Sequence, residues 1–570
     1  MTGDESAIRV QRKRFRWVSA VNFDGSSRKW DLESRRPSPM AFRERGETFR
    51  SSSHPSPSDS AALSKRVDSK PSEASNSYRT ASLFPLELSP LEKFFYVDDS
   101  PDCPLTSFVE LHFDGPLKLA VLRSSLQTAV KRHPLLACRI CEVGKTLTWQ
   151  HDPDFCPAIH DASQYPVLEA ADGSFAPIPR VRPIDLTQEP GCRVWYQAGF
   201  EGNRSRLIFQ LHHATCDGVG LRQVIIDVLK GYRDATKDDG QGLRESVVPA
   251  SETSFRIRRR NRHVQSTLRP EQLRERFRYR RFEESPAKIE LSGWQRNRLA
   301  YYFHFQRPAS LQTFARVSRK GPSDSKKGVE PISENDTLND PMIHLELGAS
   351  ITANLQAFCR SRGVALNDVL LSALFRTCRR VHRQNGRTNR KTRMRLLMPV
   401  DLRYREDFYT PATNRLSFSF LGRTHEQCED REALLSSVHE EVRWIKDTRV
   451  YMDFLAGLSL LAKRVQWLKW ATRCSRNMAT SVITYSGDVS RGLKHHLPET
   501  DGKRDVGDAL LENIFLVPPT RDHTNVTLGA CINGGRLCVS ANWNRNAWDR
   551  SACESFLAMY AEELEKWVET

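Results

Sequence analysis

The stretch LIFQLHHATCDGVGLRQVIIDVL, residues 207–229, places two adjacent histidines directly after an apolar run. Asp217 follows His213 by four residues, and Gly218 follows Asp217. Apolar residues then recur at the spacing of one helical face: Leu221, Val224, Ile225, Val228 and Leu229. The pattern predicts a strand, a polar turn that presents an imidazole, and a helix.

This turn has three interpretations: a metal site, a structural turn and a catalytic base. Adjacent histidines on an extended segment point to opposite sides, and no HExxH or CxxC spacing accompanies His212 and His213. We therefore expect no metal. A structural turn would need only a buried, hydrogen-bonded histidine beside Asp217-Gly218. An imidazole has an ordinary pKa of about 6.5, so its neutral ring can accept a proton near neutral pH. Gly218 would allow close backbone approach and a turn that other residues resist.

Strands and helices are mixed on both sides of this stretch. Upstream, the alternation of apolar residues predicts a strand at 107–115, and 3.6-residue periodicity predicts a helix at 117–133. Two predicted hairpins follow, with strands at 135–143 and 145–150 and at 192–200 and 206–213. Downstream, the same signals predict strands near 341–348, 393–403, 414–423, 479–489 and 528–544, and helices near 350–363, 365–382 and 549–568. The class is α/β or α+β, with two ordered units of similar size.

Composition divides the 570 residues into four segments. Residues 1–80 are basic and rich in Ser and Pro, which predicts disorder, and their start is not typical of a secretory signal. Residues 81–240 form the N-terminal half with the two histidines, 241–335 form a basic insertion or linker with some helix near 269–284, and 336–570 form the C-terminal half.

The chain carries 86 Lys and Arg against 69 Asp and Glu, a formal net charge of +17. Much of the excess lies in residues 1–80 and in the arginine-rich stretch 256–281. Such runs are usually solvated, and the functional alternatives are acidic lipid, nucleic acid, a phosphorylated cofactor or an acidic carrier protein. No zinc-finger or RNA-binding motif accompanies the charge, so we do not favour nucleic acid.

The segment HHATCDG, residues 212–218, resembles the HHxxxDG motif of the condensation-domain and chloramphenicol-acetyltransferase-like superfamily. Four further segments resemble segments of that superfamily in the same order, and they are most similar to those of wax ester synthases and stand-alone condensation-domain proteins: AVKRHPLLACRI, which resembles an RHxxLR segment, LNDVLLSALFR, MPVDLR and NRLSFSFLGR. Two departures are Thr413 in place of a glycine before Asn414, and TYSGDV where relatives have a Ser-Asn or Thr-Asn pair.

The resemblance implies two chloramphenicol-acetyltransferase-like halves that form a V-shaped pseudo-dimer with a tunnel at their junction. It implies that His213 is the general base and that Asp217 braces the site by pairing with an arginine. Arg403 and Arg423 are the candidates for that arginine, and Arg139 is a weaker one.

The resemblance also implies that His212 supports the loop, that Gly218 keeps the tunnel entry open, and that Asn414 supports the site. The implied activity is transfer of an acyl group from a thioester, either acyl-CoA or a carrier-bound phosphopantetheine, to an alcohol or amine. No permanently bound cofactor is implied. An acidic carrier protein and peripheral membrane contact are further expected partners, and the expected location is cytoplasmic or membrane-peripheral. The alternatives are a non-catalytic lipid- or partner-binding protein and a nucleic-acid-associated protein.

Overall fold

The structure, a computed structural model, describes residues 82–100, 103–161, 183–199, 202–240, 268–277, 287–305, 308–311, 343–404, 406–474, 478–500, 502–521, 524–544, 547–548 and 550–569. All of them belong to one compact unit, Lys70–Thr570. The predicted disorder of residues 1–80 and most of the predicted insertion at 241–335 lie outside the described residues.

The strands of the described residues fall in both predicted halves. In chain order they are β1 Leu86–Glu87, β2 Thr106–Asp114, β3 Cys138–Val143, β4 Thr146–His151, β5 Ile159–Asp161, β6 Cys192–Ala198, β7 Arg204–His212, β8 Ile343–Leu347, β9 Arg393–Asp401, β10 Leu416–Thr424, β11 Ser481–Asp488, β12 Glu499–Thr500, β13 Lys503–Asp505, β14 Leu510–Val517, β15 Val526–Asn533 and β16 Arg536–Trp543.

The helices of the described residues lie between these strands, singly or in succession. They are α1 Pro90–Asp98, α2 Leu119–Arg132, α3 Gly218–Gly240, α4 Gly293–Phe305, α5 Ala349–Arg362, α6 Leu366–Gln384, α7 Arg431–Thr448, α8 Tyr451–Leu461, α9 Val465–Cys474, α10 Val489–Lys494 and α11 Arg550–Glu565. Short 3₁₀ turns lie at Pro134–Ala137, Pro270–Glu275, Glu406–Tyr409 and Glu426–Cys428. The mixed α/β class is confirmed, and of the helix predicted near 269–284 the described part forms only the turn Pro270–Glu275.

Two large mixed sheets organise the described residues. One has the order β12-β13-β14-β2-β7-β6-β5, and the other has the order β10-β9-β11-β15-β16-β8. A smaller sheet, β1-β4-β3, contains the predicted strand pair near residues 138–150. In the second large sheet β11 runs parallel to β9 and β15, while the other pairs are antiparallel.

Strand β14 connects the two predicted halves. It belongs to the C-terminal range of the sequence, yet it pairs antiparallel with β2 of the N-terminal range, with Leu511 opposite Phe113 and Val517 opposite Phe108. The first large sheet therefore contains strands from both halves of the sequence.

A buried ion cluster also joins the two sheets. Glu110 on β2 accepts a hydrogen bond from Arg206 on β7 and lies 2.7 Å from the Nε2 of His112 and 3.5 Å from the Nε2 of His344 on β8. Burial alone would raise the pKa of Glu110, but Arg206 and the two histidines hold the pKa well below its usual value. The carboxylate therefore stays charged inside the protein because its partners compensate for lost hydration.

The two elements around the histidine motif are buried as their patterns predict. Every residue of β7 after Arg204 is buried, because the strand is flanked by β2 and β6 and covered on its faces. The apolar face of α3 is buried in the same core, with Leu221, Val224, Ile225, Val228 and Leu229 each at most 4% exposed. This packing fixes the exit of β7 and the start of α3, and thus the ends of the loop between them. No helix of the described residues is long and apolar enough to cross a bilayer.

Candidate active site

The loop between β7 and α3 carries the predicted site residues. Pairing of β7 with β2 ends at Thr106 opposite His212, and the next backbone N–H, that of His213, donates to the Leu105 carbonyl at 2.7 Å. The chain then turns, since the N–H of Thr215 donates to the carbonyl of His212. His213 thus lies directly after the C-terminal end of β7, at a position fixed by backbone hydrogen bonds.

The imidazole of His213 lines a cavity of about 970 Å³, counting the part open to solvent. The ring stacks on Phe95 of α1, with 4.2 Å between ring centroids and 11° between planes. Its Nδ1 is buried without a hydrogen-bond partner among the described residues, which leaves Nε2 as the ring nitrogen for a molecule in the cavity.

The electrostatic setting of His213 favours the neutral ring. Burial lowers its pKa below the ordinary value, and His212 lowers it further. The charge of Asp217 and backbone groups of His213 and Cys216 raise the pKa only in part. A neutral imidazole near neutral pH can accept a proton, which is the property that a general base needs.

Asp217 does not line this cavity but holds the loop. Its carboxylate accepts two hydrogen bonds from Arg403, each 2.9 Å, and further bonds from the backbone N–H groups of Gly220 and Arg415 at 2.9 and 2.7 Å. Burial alone would raise the pKa of Asp217, but the charge and hydrogen bonds of Arg403 hold it below its usual value. Asp217 is therefore an anionic brace that also caps the first turn of α3.

The structure selects one of the three candidate arginines. Arg403 and Asp217 are both buried, with 2% and 3% of their side chains exposed. Arg423 is a correction to the sequence expectation, because it instead pairs with Glu441 and bonds to Ser437. Arg139 lies on an exposed position of β3.

Asn414 supports the loop from the facing segment of the C-terminal half. Its Nδ2 donates to the backbone carbonyls of His213 and Ala214 at 2.9 and 2.8 Å. The preceding residue, Thr413, stands where a glycine was expected, and its carbonyl accepts from Arg403 at 2.8 Å. Segment 413–415 thus holds both ends of the histidine loop through hydrogen bonds.

His212 makes its contacts within the loop and with α1's end. Its side chain is buried, and its Nδ1 accepts from the backbone N–H of Ala214 at 3.1 Å. Its Nε2 lies 3.6 Å from the carboxylate of Asp99. Among the described residues, no three His, Cys, Asp or Glu side chains converge as metal ligands.

Gly218 and Gly220 differ in what surrounds them. Gly218 lines the cavity, and a Cβ added there would meet nothing within 4 Å. The expectation that Gly218 adopts a turn that other residues resist is wrong, since it is the first residue of α3 and is not among the glycines of positive φ. Gly220 is the crowded position: an added Cβ would lie 3.1 and 3.2 Å from backbone atoms of Thr413 and 3.2 Å from Cβ of Cys216.

His133 is a supporting residue that the sequence reasoning did not single out. Its Nδ1 accepts from the backbone N–H of Ala412 at 2.9 Å, and its Nε2 lies 3.1 Å from the Asp227 carboxylate on α3. It therefore ties α3 to the segment that carries Thr413 and Asn414. The signal was present in AVKRHPLLACRI, whose resemblance to the RHxxLR segment includes this histidine.

The cavity beside His213 is apolar and is bounded by both large sheets. Strands β2 and β14 of the first sheet and β9, β10, β11 and β15 of the second contribute lining residues, and α1 closes one side. The apolar wall includes Phe94, Phe95, Phe108, Leu397, Phe418 and Val482. Polar groups are few, and two of them, Asp98 and Arg521, pair with each other. The arrangement suits a molecule with a large apolar part and a reacting group near His213.

Two solved structures share this architecture. A mutant of the starter condensation domain of rhizomide synthetase RzmA, in complex with C8-CoA, has a TM-score of 0.51 at 12% identity, over 86% of this chain and 97% of that chain. The first condensation domain of the calcium-dependent antibiotic synthetase, in complex with a substrate analogue, has a TM-score of 0.50 at 15% identity, over 85% of this chain and 96% of that chain. The protein has the condensation-domain fold.

No family model matches the sequence, and no curated protein matches it either. The shared fold is therefore found only when the structures are compared. The resemblance read from HHATCDG and the later segments therefore agrees with the fold found by structural comparison. A common fold concerns architecture, and the activity has to be argued from the site.

Proposed function

We propose that this condensation-fold protein is an acyltransferase that moves an acyl group from a thioester to a hydroxyl or amine, with His213 as general base. The observation that carries the proposal is the His213 ring, which lines an apolar cavity between the two sheets and has a lowered pKa. A base held in its neutral form beside a space for an apolar substrate is what such a transfer requires.

In the proposed reaction, one proton moves from the acceptor to His213 and then to the departing thiolate. The Nε2 of His213 takes the proton of the acceptor O–H or N–H, and the acceptor atom forms a bond to the thioester carbonyl carbon. The C–S bond then breaks, and the departing sulfur takes the proton back from the imidazolium. No covalent bond to the enzyme forms, so orientation of the two substrates and proton transfer supply the catalysis.

The surrounding residues act through His213. The Asp217–Arg403 pair and Asn414 fix the loop, and Phe95 holds the ring against one face. This arrangement supports a role for Asp217 as a brace and not as a proton relay, because its carboxylate is already bonded to Arg403, Gly220 and Arg415.

The finer parts of the proposal concern the architecture and the substrates. The two halves would form a V-shaped pseudo-dimer, with the cavity opening into a tunnel that donor and acceptor enter separately. The donor would be acyl-CoA or a carrier-bound phosphopantetheine thioester, and no cofactor would remain bound. One similar structure was solved with C8-CoA, which supports a thioester donor. The proposed location is cytoplasmic.

The test is thiol release from a panel of acyl-CoAs, each with and without alcohol and amine acceptors, by the wild type and by His213→Ala. We expect acceptor-dependent release by the wild type and a loss of about 10²- to 10⁴-fold in the variant. His495→Ala is the matched control, because His495 is exposed outside the site and should keep full activity. Equal release by wild type and His213→Ala would refute the proposal, and substrate binding without release would indicate a non-catalytic binding protein.

A further inference from the structure

Helices α4, α8 and α9 expose an unusual set of large apolar side chains. The most exposed tryptophans of the described residues are Trp294 on α4 and Trp467 and Trp470 on α9, at 67%, 51% and 66%. Tryptophan normally buries its large ring, and three that remain this exposed indicate a surface that is covered in use.

These helices are connected with one another. Helices α8 and α9 follow each other and are in contact, and Arg296 of α4 pairs with Asp453 of α8. Leu460 lies seven residues after Asp453, on the same face of α8, and is 62% exposed. The exposed residues of α4, the outer face of α8 and the exposed residues of α9 form what we call the tryptophan face.

The tryptophan face is basic and contains no acid at its α9 end. Residues 461–474, LAKRVQWLKWATRC, include four basic residues and no Asp or Glu. Lys463, Arg464, Lys469 and Arg473 are all exposed, and none pairs with a carboxylate of a described residue. The guanidinium of Arg464 lies 5.1 Å from the centre of the Trp467 ring. Exposed cations and indoles are therefore interleaved in sequence along α9 and the turn that precedes it.

Core packing does not account for the outward tryptophans. The inner side of α9 is occupied by the buried Leu468, and the helix packs there against α1. Trp467 and Trp470 are exposed away from that side, and Lys469 and Arg473 of the same helix are exposed too. A helix with one side packed and an outer side of Trp, Lys and Arg matches the composition of interfacial membrane-binding helices.

We propose that the tryptophan face docks the protein on an anionic phospholipid surface. The indole rings would lie at the level of the lipid headgroups, and the four basic side chains of residues 463–473 would meet the headgroup negative charge. An acidic protein could meet the cations, but it gives no reason for the widely exposed indoles of Trp467 and Trp470 on the same helix. The lipid surface accounts for both features.

The position of this face has a consequence that rests on the proposed function. Helix α9 packs on α1, and α1 supplies Phe94, Phe95 and Asp98 to the cavity wall. A membrane on the tryptophan face would therefore lie two helix layers, α9 and α1, from the cavity. An apolar acceptor or acyl donor could then enter from the bilayer without crossing water.

The experiment measures vesicle flotation of the full chain, which needs no turnover and is thus separate from the acyltransferase test. The probes are vesicles of phosphatidylcholine with phosphatidylserine, and of phosphatidylcholine alone. We expect binding to the anionic vesicles that weakens with salt, and quenching of tryptophan fluorescence by brominated lipid. Both Trp467→Ala with Trp470→Ala and Lys469→Glu with Arg473→Glu should lower the affinity about tenfold or more.

The control is Val143→Ala with Lys145→Glu, which changes an exposed apolar and an exposed basic residue at the β3–β4 turn. It should bind like the wild type, and circular dichroism should show that all variants fold. Absence of wild-type binding would overturn the proposal. Unchanged binding by the tryptophan variant would do so too, because it would assign any binding to the arginine-rich stretches. Binding of an acidic carrier protein through Lys469 and Arg473, without vesicle binding, would replace the lipid by a protein.

Discussion

Arg403 and Asp217 lie 186 residues apart in the chain and form a buried, two-pronged ion pair, with both N–O distances at 2.9 Å. The pair joins the C-terminal half to the loop that carries His213. Because both side chains are almost without solvent contact, each depends on the other to compensate for the hydration lost on folding.

The first prediction concerns the coupling of these two residues. Asp217→Ala or Arg403→Ala alone should reduce the free energy of unfolding by about 3–5 kcal/mol, because each removes the two-pronged partner of a buried charge. Without Asp217, Arg403 would keep its contact with the half-exposed Asp401 at 3.2 Å, which compensates only in part. The double variant should lose clearly less than the sum of the two, since no isolated charge remains. Urea unfolding of the four proteins measures the coupling.

Arg403→Lys and an exposed pair provide the controls. Lysine keeps the charge but cannot make the two-pronged contact, so Arg403→Lys should still be destabilised. Arg550→Ala removes the exposed pair between Arg550 and Glu554 and should cost at most about 1 kcal/mol. Strict additivity of the Asp217 and Arg403 effects would show that the pair does not couple the two halves.

The second prediction follows from the lowered pKa of His213. Burial opposes the charged ring, so the folded protein protonates His213 at a lower pH than a free imidazole would require. The value of kcat/KM for acyl transfer should therefore be constant near neutral pH and fall only below pH of about 6.5. A pH–rate profile with the best acceptor measures this.

Phe95→Ala tests whether burial is the cause. Phe95 covers one face of the His213 ring, so its removal should admit water and move the midpoint of the profile upward towards the ordinary imidazole pKa. His495→Ala should leave the midpoint unchanged. A wild-type midpoint above the ordinary imidazole value would mean that the charged ring is stabilised, which contradicts the proposed base.

Local features of the site could be predicted from the sequence. Strand β7 and helix α3 each bury one continuous apolar pattern, so their existence, and the polar loop between them, follow from periodicity. The end of α5 was also predictable, because Gly363 adopts the left-handed conformation that stops a helix, with φ of 65°. The two site residues His213 and Asp217 came from the motif within that loop.

Non-local pairings could not be predicted from the same signals. Arg403 and Arg423 end similar apolar segments, and only the tertiary fold brings Arg403 to Asp217 and places Arg423 against Glu441. Strand β14 was not predicted, and no local signal in its sequence indicates its pairing with β2, far away in the chain. The helices α7, α8 and α9 were not predicted either. The tryptophan face was missed with them, because the exposure of an indole depends on what packs beside it.

The last prediction separates space for substrate from space for the protein backbone. Gly218→Ala adds a methyl group that meets no protein atom within 4 Å and points into the cavity space that Gly218 lines. Stability should stay the same or rise slightly, since alanine favours the helix, while kcat/KM should fall because the methyl group occupies substrate space.

Gly220→Ala adds the same group against Thr413, where its Cβ would lie 3.1 Å from the backbone nitrogen. That variant should lose about 1–3 kcal/mol of stability, because the segment bonded to Arg403 must move. Urea unfolding and thiol release, measured on both variants, decide the matter: a stable, fully active Gly220→Ala protein would show that the close approach of segment 413–415 to α3 is dispensable.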